Sequence, residues 1–269
     1  MKVTTKRFLK TEQAEIEMTL SRLECMGKRE GNPMGCEIKR FGKTVAFAVK
    51  NIPGPSYNTV KGFNSSDLDA LDDILGFYRE KGITPRFELT PADSGRELCF
   101  ALHRKGFLQT GFHTSLEGRV ERSVPSRPAN NVEVRSLDKE EFDLYGQFYA
   151  EAFGMPPFTV DGITANNRAL ADEAGWYFYL ATAGGAPAGI ASLYITGDTG
   201  VLAAAGTLPA YRQKGVHTAL IDARRAEAEK SGCRVLTGQA SFGSGSHRNM
   251  LKAGLQTLYT KAVWESADK

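Results

Sequence analysis

No two cysteines in this sequence stand close enough to form a CxxC pair. The four present, Cys25, Cys36, Cys99 and Cys233, are scattered without metal-ligand spacing. They read as reduced and mostly buried, which fits a cytoplasmic location. No run of eighteen apolar residues occurs, which excludes a helical membrane span. The opening stretch MKVTTKRFLKTEQAEIE lacks the apolar core of a signal peptide. No block of five like charges appears and the net charge is only +3, so a nucleic-acid partner is not expected. Gly184-Gly185 and Gly243-Ser244-Gly245-Ser246 complete neither a phosphate-binding P-loop nor a dinucleotide fingerprint, and read as turns. No Ser-His-Asp or Cys-His pairing suggests a nucleophile. Asp67, Asp69, Asp72 and Asp73 diverge around a helix start and read as solvated, so no metal is assigned.

What is present is the composition of an ordinary globular chain, long enough for two domains. Ile16, Leu20, Leu23 and Met26 recur at helical spacing, predicting a helix over 11–29. Strands are expected at 36–40, 44–50, 57–63 and 85–90, and a helix at 67–81 capped by Ser66. Ser94 opens a further helix that ends at Gly106, and a long strand follows from Phe107. Residues 121–131, ERSVPSRPANN, have linker composition and place a boundary between domains 1–120 and 132–269. In the second domain Asp138 and Glu141 have capping-box spacing, opening a helix over 139–153 that Gly154-Met155-Pro156-Pro157 breaks. The order thereafter is helix, three strands, helix, strand, short helix, strand.

The most informative stretch is Thr207 to Ser231. An apolar strand, 201–207, stops at Pro209. A basic turn, Arg212-Gln213-Lys214-Gly215-Val216-His217, leads into a helix pattern from Thr218 to Lys230. Ala219, Leu220, Ala223, Ala226 and Ala228 mark its expected inner stripe. The first turn of a helix has N–H groups without intrahelical partners, and the dipole favours an anion there. A strand, a turn holding glycine and a helix start therefore form a cradle for phosphate.

Arg212-x-x-Gly215-x-His217, with its preceding strand and following helix, resembles the Arg/Gln-x-x-Gly-x-Gly/Ala loop of GNAT-type N-acetyltransferases. The resemblance implies a mixed α/β fold of tandem GNAT-like domains. Each would be a twisted, mostly antiparallel sheet flanked by helices, with the C-terminal copy complete and residues 1–120 degenerate. It implies acetyl-CoA as co-substrate, with its pyrophosphate on Arg212, Gln213, Lys214, Gly215, Val216, His217 and Thr218. The pantetheine arm would run along Thr207 and Leu208. Asn249 matches the family's asparagine on the helix after the fifth strand. The position where the family often places a tyrosine acid holds Gln256, and the nearest phenol is Tyr259, which also reads as an ordinary strand tyrosine. His217 departs from the usual small residue. The partner implied is an amine acceptor, a small molecule or a peptide, with no membrane; a homodimer is left open. A non-catalytic acyl-CoA sensor is the competing reading.

Other residues carry two readings each. Ala203-Ala204-Ala205-Gly206 is unusually small, either to admit the thioester arm or to let a helix pack closely. His247 is either an acid–base group or solvated at a helix end, and Glu151 is a candidate base beside the Phe153 break. An echo, KGFLQTGFHT at 105–114 against KAGLQTLYT at 252–260, suggests two copies of one fold. No counterpart of the Arg212 loop occurs before residue 120.

Overall fold

The computed structural model describes residues 5–52, 54–121 and 131–267; of the linker expected at 121–131, all but the two end residues lie outside these ranges. The elements in chain order are α1 (Thr5–Lys28), β1 (Cys36–Phe41), β2 (Thr44–Val49), β3 (Thr59–Lys61), α2 (Leu71–Arg79), β4 (Arg86–Leu89), α3 (Arg96–Arg104) and β5 (Phe107–Arg119). There follow β6 (Val132–Ser136), α4 (Phe142–Phe153), α5 (Val160–Leu170), β7 (Trp176–Ala183), β8 (Ala186–Thr196) and β9 (Thr199–Thr207). The last are α6 (Val216–Lys230), β10 (Val235–Ser241), α7 (Gly245–Lys252) and β11 (Gln256–Ser266). No helix among the described residues is long and apolar enough to cross a membrane. By their contacts the described residues form two compact units: those within 1–18 and 115–258, and those within 19–114 and 259–269.

In the first unit the strand order is β6-β7-β8-β9-β10-β5. Neighbours from β6 to β9 are antiparallel, and β9 pairs with β10 in parallel. Parallel neighbours need a crossover, and α6 supplies it. The helix lies on the sheet through Leu220, Ile221 and Ala228, which share a core with Leu193, Leu202 and Leu236. The expected stripe is partly out of phase: Ala226 is exposed, while Arg224 and Arg225 are buried. Hydrophobic periodicity does not reveal this, because main-chain carbonyls solvate the guanidinium groups. Arg224 donates to the carbonyls of Leu220 and Ser192, and Arg225 to those of Arg119 and Ala253. At the start of α4, the Asp138–Glu141 capping box is formed.

In the second unit the order is β1-β2-β3-β4-β11-β5, with β3 and β4 parallel and β1-β2, β2-β3 and β4-β11 antiparallel. Ile74 and Tyr78 of α2 and Leu98 and Leu102 of α3 bury against Ala46, Val60, Phe87 and Leu89. Tyr78 donates to the Phe47 and Thr59 carbonyls at 2.8 and 3.0 Å. Glu88 is buried with Lys61 at 2.6 Å and Lys261 at 3.9 Å. Burial opposes its ionisation, but Lys61 and Lys261 hold its carboxyl well below the ordinary range. Asn64 caps the short turn Ser65–Ala70 that leads into α2, accepting from the Ser66 N–H; Ser66, the expected cap, lies inside that turn.

Candidate active site

The site starts from two irregularities in β9. The strand pairs with β10 only as far as Leu202 opposite Gly238, although β9 continues to Thr207 and β10 to Ser241. Beyond that point the two strands are not paired and a wedge opens between them. On its other edge β9 slips against β8: Ala191 faces Ala205, but Leu193 faces Leu202. Ser192 therefore stands opposite both Ala203 and Ala204, a β-bulge. The extra residue reverses the alternation of faces. A Cβ on Gly200 would lie 2.9 Å from Ala228 of α6, whereas one on Gly206 would lie 2.6 Å from Ala152 of α4.

At the end of β9 the chain passes through a short turn, Pro209–Tyr211, and enters α6. Gln213 has φ +65° and Gly215 has φ +84°, so the loop is built on two left-handed residues. Gly215 is the N-cap of α6, and no side chain caps the helix. The first intrahelical bond is from the Ala219 N–H to the Gly215 carbonyl at 3.0 Å. The N–H groups of Val216, His217 and Thr218 are thus the free donors of the first turn. They lie where the phosphate cradle is expected.

Of the residues the motif assigns, Thr207, Arg212, Gln213, Gly215, Val216, His217, Thr218 and Asn249 line one cleft of about 710 Å³. Leu208 is buried and Lys214 is exposed, with its Nζ 5.2 Å above the Tyr211 ring; neither lines the cleft. Arg212 donates to the Ala152 carbonyl at 3.2 Å, tying the loop to the end of α4. Arg248 and Lys252 of α7 add positive charge, and no carboxylate lines the cleft.

A second cavity of about 290 Å³ shares Phe153, Ala205, His217 and Ser246 with the cleft and reaches inward to Leu202, Arg224 and Gln239. It too has no carboxylate in its wall. In the small-residue run, Ala203, Ala204 and Ala205 line this cavity, and Gly206 admits the close approach of α4. His217 and Arg224, seven residues apart, share one face of α6. Burial, then the nearby Arg224, pushes the His217 imidazole down to about 4, so it is neutral at pH 7. Its Nδ1 is buried without a hydrogen-bond partner among the described residues. Arg224 is fully buried, and burial lowers it to about 10.

The remaining candidates are dispersed. Tyr259 belongs to the second compact unit and lines neither cavity; the phenol in the cleft wall is Tyr211. His247 is buried rather than solvated: its Nδ1 accepts from the Gly243 N–H at 3.3 Å, and Ser244 caps its helix. Glu151 is exposed outside both cavities. Residues the sequence did not single out for the site are Arg224, Gln239 and Ser246. Ser246 sits in the Gly-Ser segment read as a plain turn, and only the splay of β10 brings it to the cleft.

Residues 138–253 match the family model described as "Acetyltransferase (GNAT) family". Residues 138–253 are a GNAT acetyltransferase domain. The likeness in fold extends beyond it. A GCN5-related N-acetyltransferase from Kribbella flavida superposes with TM-score 0.63 at 15% identity, covering 93% of this chain and 96% of that one. A tandem GNAT protein from the clavulanic acid biosynthesis pathway gives 0.60 at 13% identity, over 93% and 94%. A GCN5-related N-acetyltransferase from Sphaerobacter thermophilus gives 0.61 at 14%, over 83% and 80%. These likenesses are of fold. No curated protein matches the sequence. The chain thus has the tandem GNAT architecture, a mixed α/β fold, and the cleft lies within the GNAT domain.

Proposed function

We propose that the GNAT domain binds acetyl-CoA in the cleft and transfers its acetyl group to an amine. One observation carries this: a cleft without a carboxylate leads to three free helix N–H groups and is flanked by Arg212, Arg248 and Lys252. The diphosphate would be held by Val216, His217 and Thr218, and the pantetheine arm would follow the unpaired edge from Thr207 to Ala203. Asn249, on α7, lines the same cleft and would bond the arm. In the transfer the amine nitrogen forms a bond to the thioester carbon and the C–S bond breaks. The thiolate leaves, and the proton released by the amine balances it. A main-chain N–H that the ladder does not use at the bulge would suit the carbonyl oxygen. Holding the reactants in line contributes roughly 7–11 kcal/mol. His217 is the one imidazole lining both cavities, and its neutral form is able to accept a proton.

We further propose that residues 1–120 are a degenerate copy of the same fold, joined through 121–131 to the domain at 132–269. Both units contain two antiparallel strand pairs followed by a parallel pair around a helix: β1-β2-β3-β4 with α2, and β7-β8-β9-β10 with α6. At the position of the Arg212 loop the second unit has Asp67, whose carboxylate accepts from the Lys43 and Thr44 N–H groups. Asp72 and Asp73 stand in the first turn of α2. Those carboxylates would repel a phosphate.

The competing reading, an acyl-CoA sensor without turnover, draws on the absence of Tyr259 from both cavities. Following free thiol release from acetyl-CoA with a panel of small amines separates the two. Thiol release that depends on an amine supports transfer. Binding of acetyl-CoA with no release for any amine supports the sensor.

A further inference from the structure

Arg224 is a cation buried in the wall of the inner cavity without a carboxylate partner. It is 1% exposed. Its Nε and Nη1 donate to the carbonyls of Leu220 and Ser192 at 2.9 and 3.2 Å. Gln239 Nε2, on the wall formed by β10, is buried without a hydrogen-bond partner among the described residues. A guanidinium removed from water is costly unless an anion neutralises it. Two donors from facing elements, one of them charged, match the two oxygens of a carboxylate. The cavity, of about 290 Å³, shares Ala205 and His217 with the wall of the cleft assigned to the thioester.

We propose that the inner cavity seats a carboxylate carried by one of the two substrates, held by Arg224 and Gln239. The assignment rests on the acyl-CoA reading of the cleft. The carboxylate has two sources: the far end of a short dicarboxylic acyl group on the thioester, or an acceptor of the amino-acid class. In either case the transfer is unchanged. The N–C bond forms, the C–S bond breaks, and the carboxylate is not consumed.

The test is calorimetric and uses the full chain. One arm compares the affinities of CoA, acetyl-CoA and succinyl-CoA. The other titrates CoA-saturated protein with α-amino acids and with the amines that remain when their carboxylates are removed. A charge-assisted pair gives a preference for the carboxylate form of about tenfold or more in one arm. Gln239→Leu, which leaves the contacts of Arg224 with Ser192 and Leu220 in place, should reduce that preference severalfold and leave CoA affinity unchanged. Arg224→Gln should abolish it. CoA binding with no preference in either arm overturns the carboxylate site and leaves the cleft reading intact. So does a preference that both variants retain. Failure of CoA itself to bind overturns the cleft reading and with it the inference.

Discussion

Arg224 of α6 donates from Nη1 to the carbonyl of Ser192, the residue that faces the bulge in β9. A bulge removes part of the ladder, and the side chain of a crossing helix supplies a donor at that place. The contact couples α6 to the irregularity that opens the cleft. Arg224→Lys tests this coupling. It keeps the charge but lacks the fork that reaches two carbonyls at once. A loss of about 1–3 kcal/mol in urea unfolding is expected. Unchanged stability would show that the contact does not hold the bulge.

Gly215 has φ +84° at the start of α6. Gly215→Ala forces a Cβ into the left-handed region, at a cost of about 1–2 kcal/mol. Gly215→Glu carries the same strain and adds a carboxylate where the diphosphate is placed. Calorimetry should show the Glu variant binding CoA at least about tenfold more weakly than the Ala variant. Equal affinities would place the phosphates elsewhere.

Gly206 is the point of closest approach between β9 and α4. An added Cβ would meet that of Ala152 at 2.6 Å, so helix or strand must shift. Gly206→Ala should lower stability by about 1–3 kcal/mol in thermal unfolding. A neutral result would mean that α4 is free to move away from the bulge.

His113 and His217 are each held down to about 4, mainly by burial. In the unfolded chain both return to the ordinary value of about 6.5. Between these values the unfolded state binds protons that the folded state does not. Stability from these two groups is therefore full above about pH 6.5 and falls as the pH drops toward 4. Unfolding free energies measured across this window should decrease with falling pH, and less steeply in His217→Gln. Identical slopes would mean that His217 titrates normally.

The turn and helix start at Gly215 were legible because their signals are local. A proline ends the strand, a glycine takes the left-handed position, and the helix begins directly after it. The Asp138–Glu141 box is legible for the same reason. The bulge is not, because no residue type marks Ala203-Ala204 as two residues against one. Nor is the burial of Arg224 and Arg225, whose charges are met by carbonyls distant in sequence. β5 and β11 follow similar helix–Gly–strand segments, at Gly106 and Gly254. The sequence echo shows the likeness of these segments but not which strands each one pairs with. Tyr259 was singled out by nearness along the chain, and β11 carries it into the second unit.

The most direct test is a crystal structure of the full chain with CoA bound. The diphosphate oxygens should lie within about 3 Å of the main-chain nitrogens of Val216, His217 and Thr218, with the pantetheine between β9 and β10. A diphosphate bound away from the start of α6 would contradict the account.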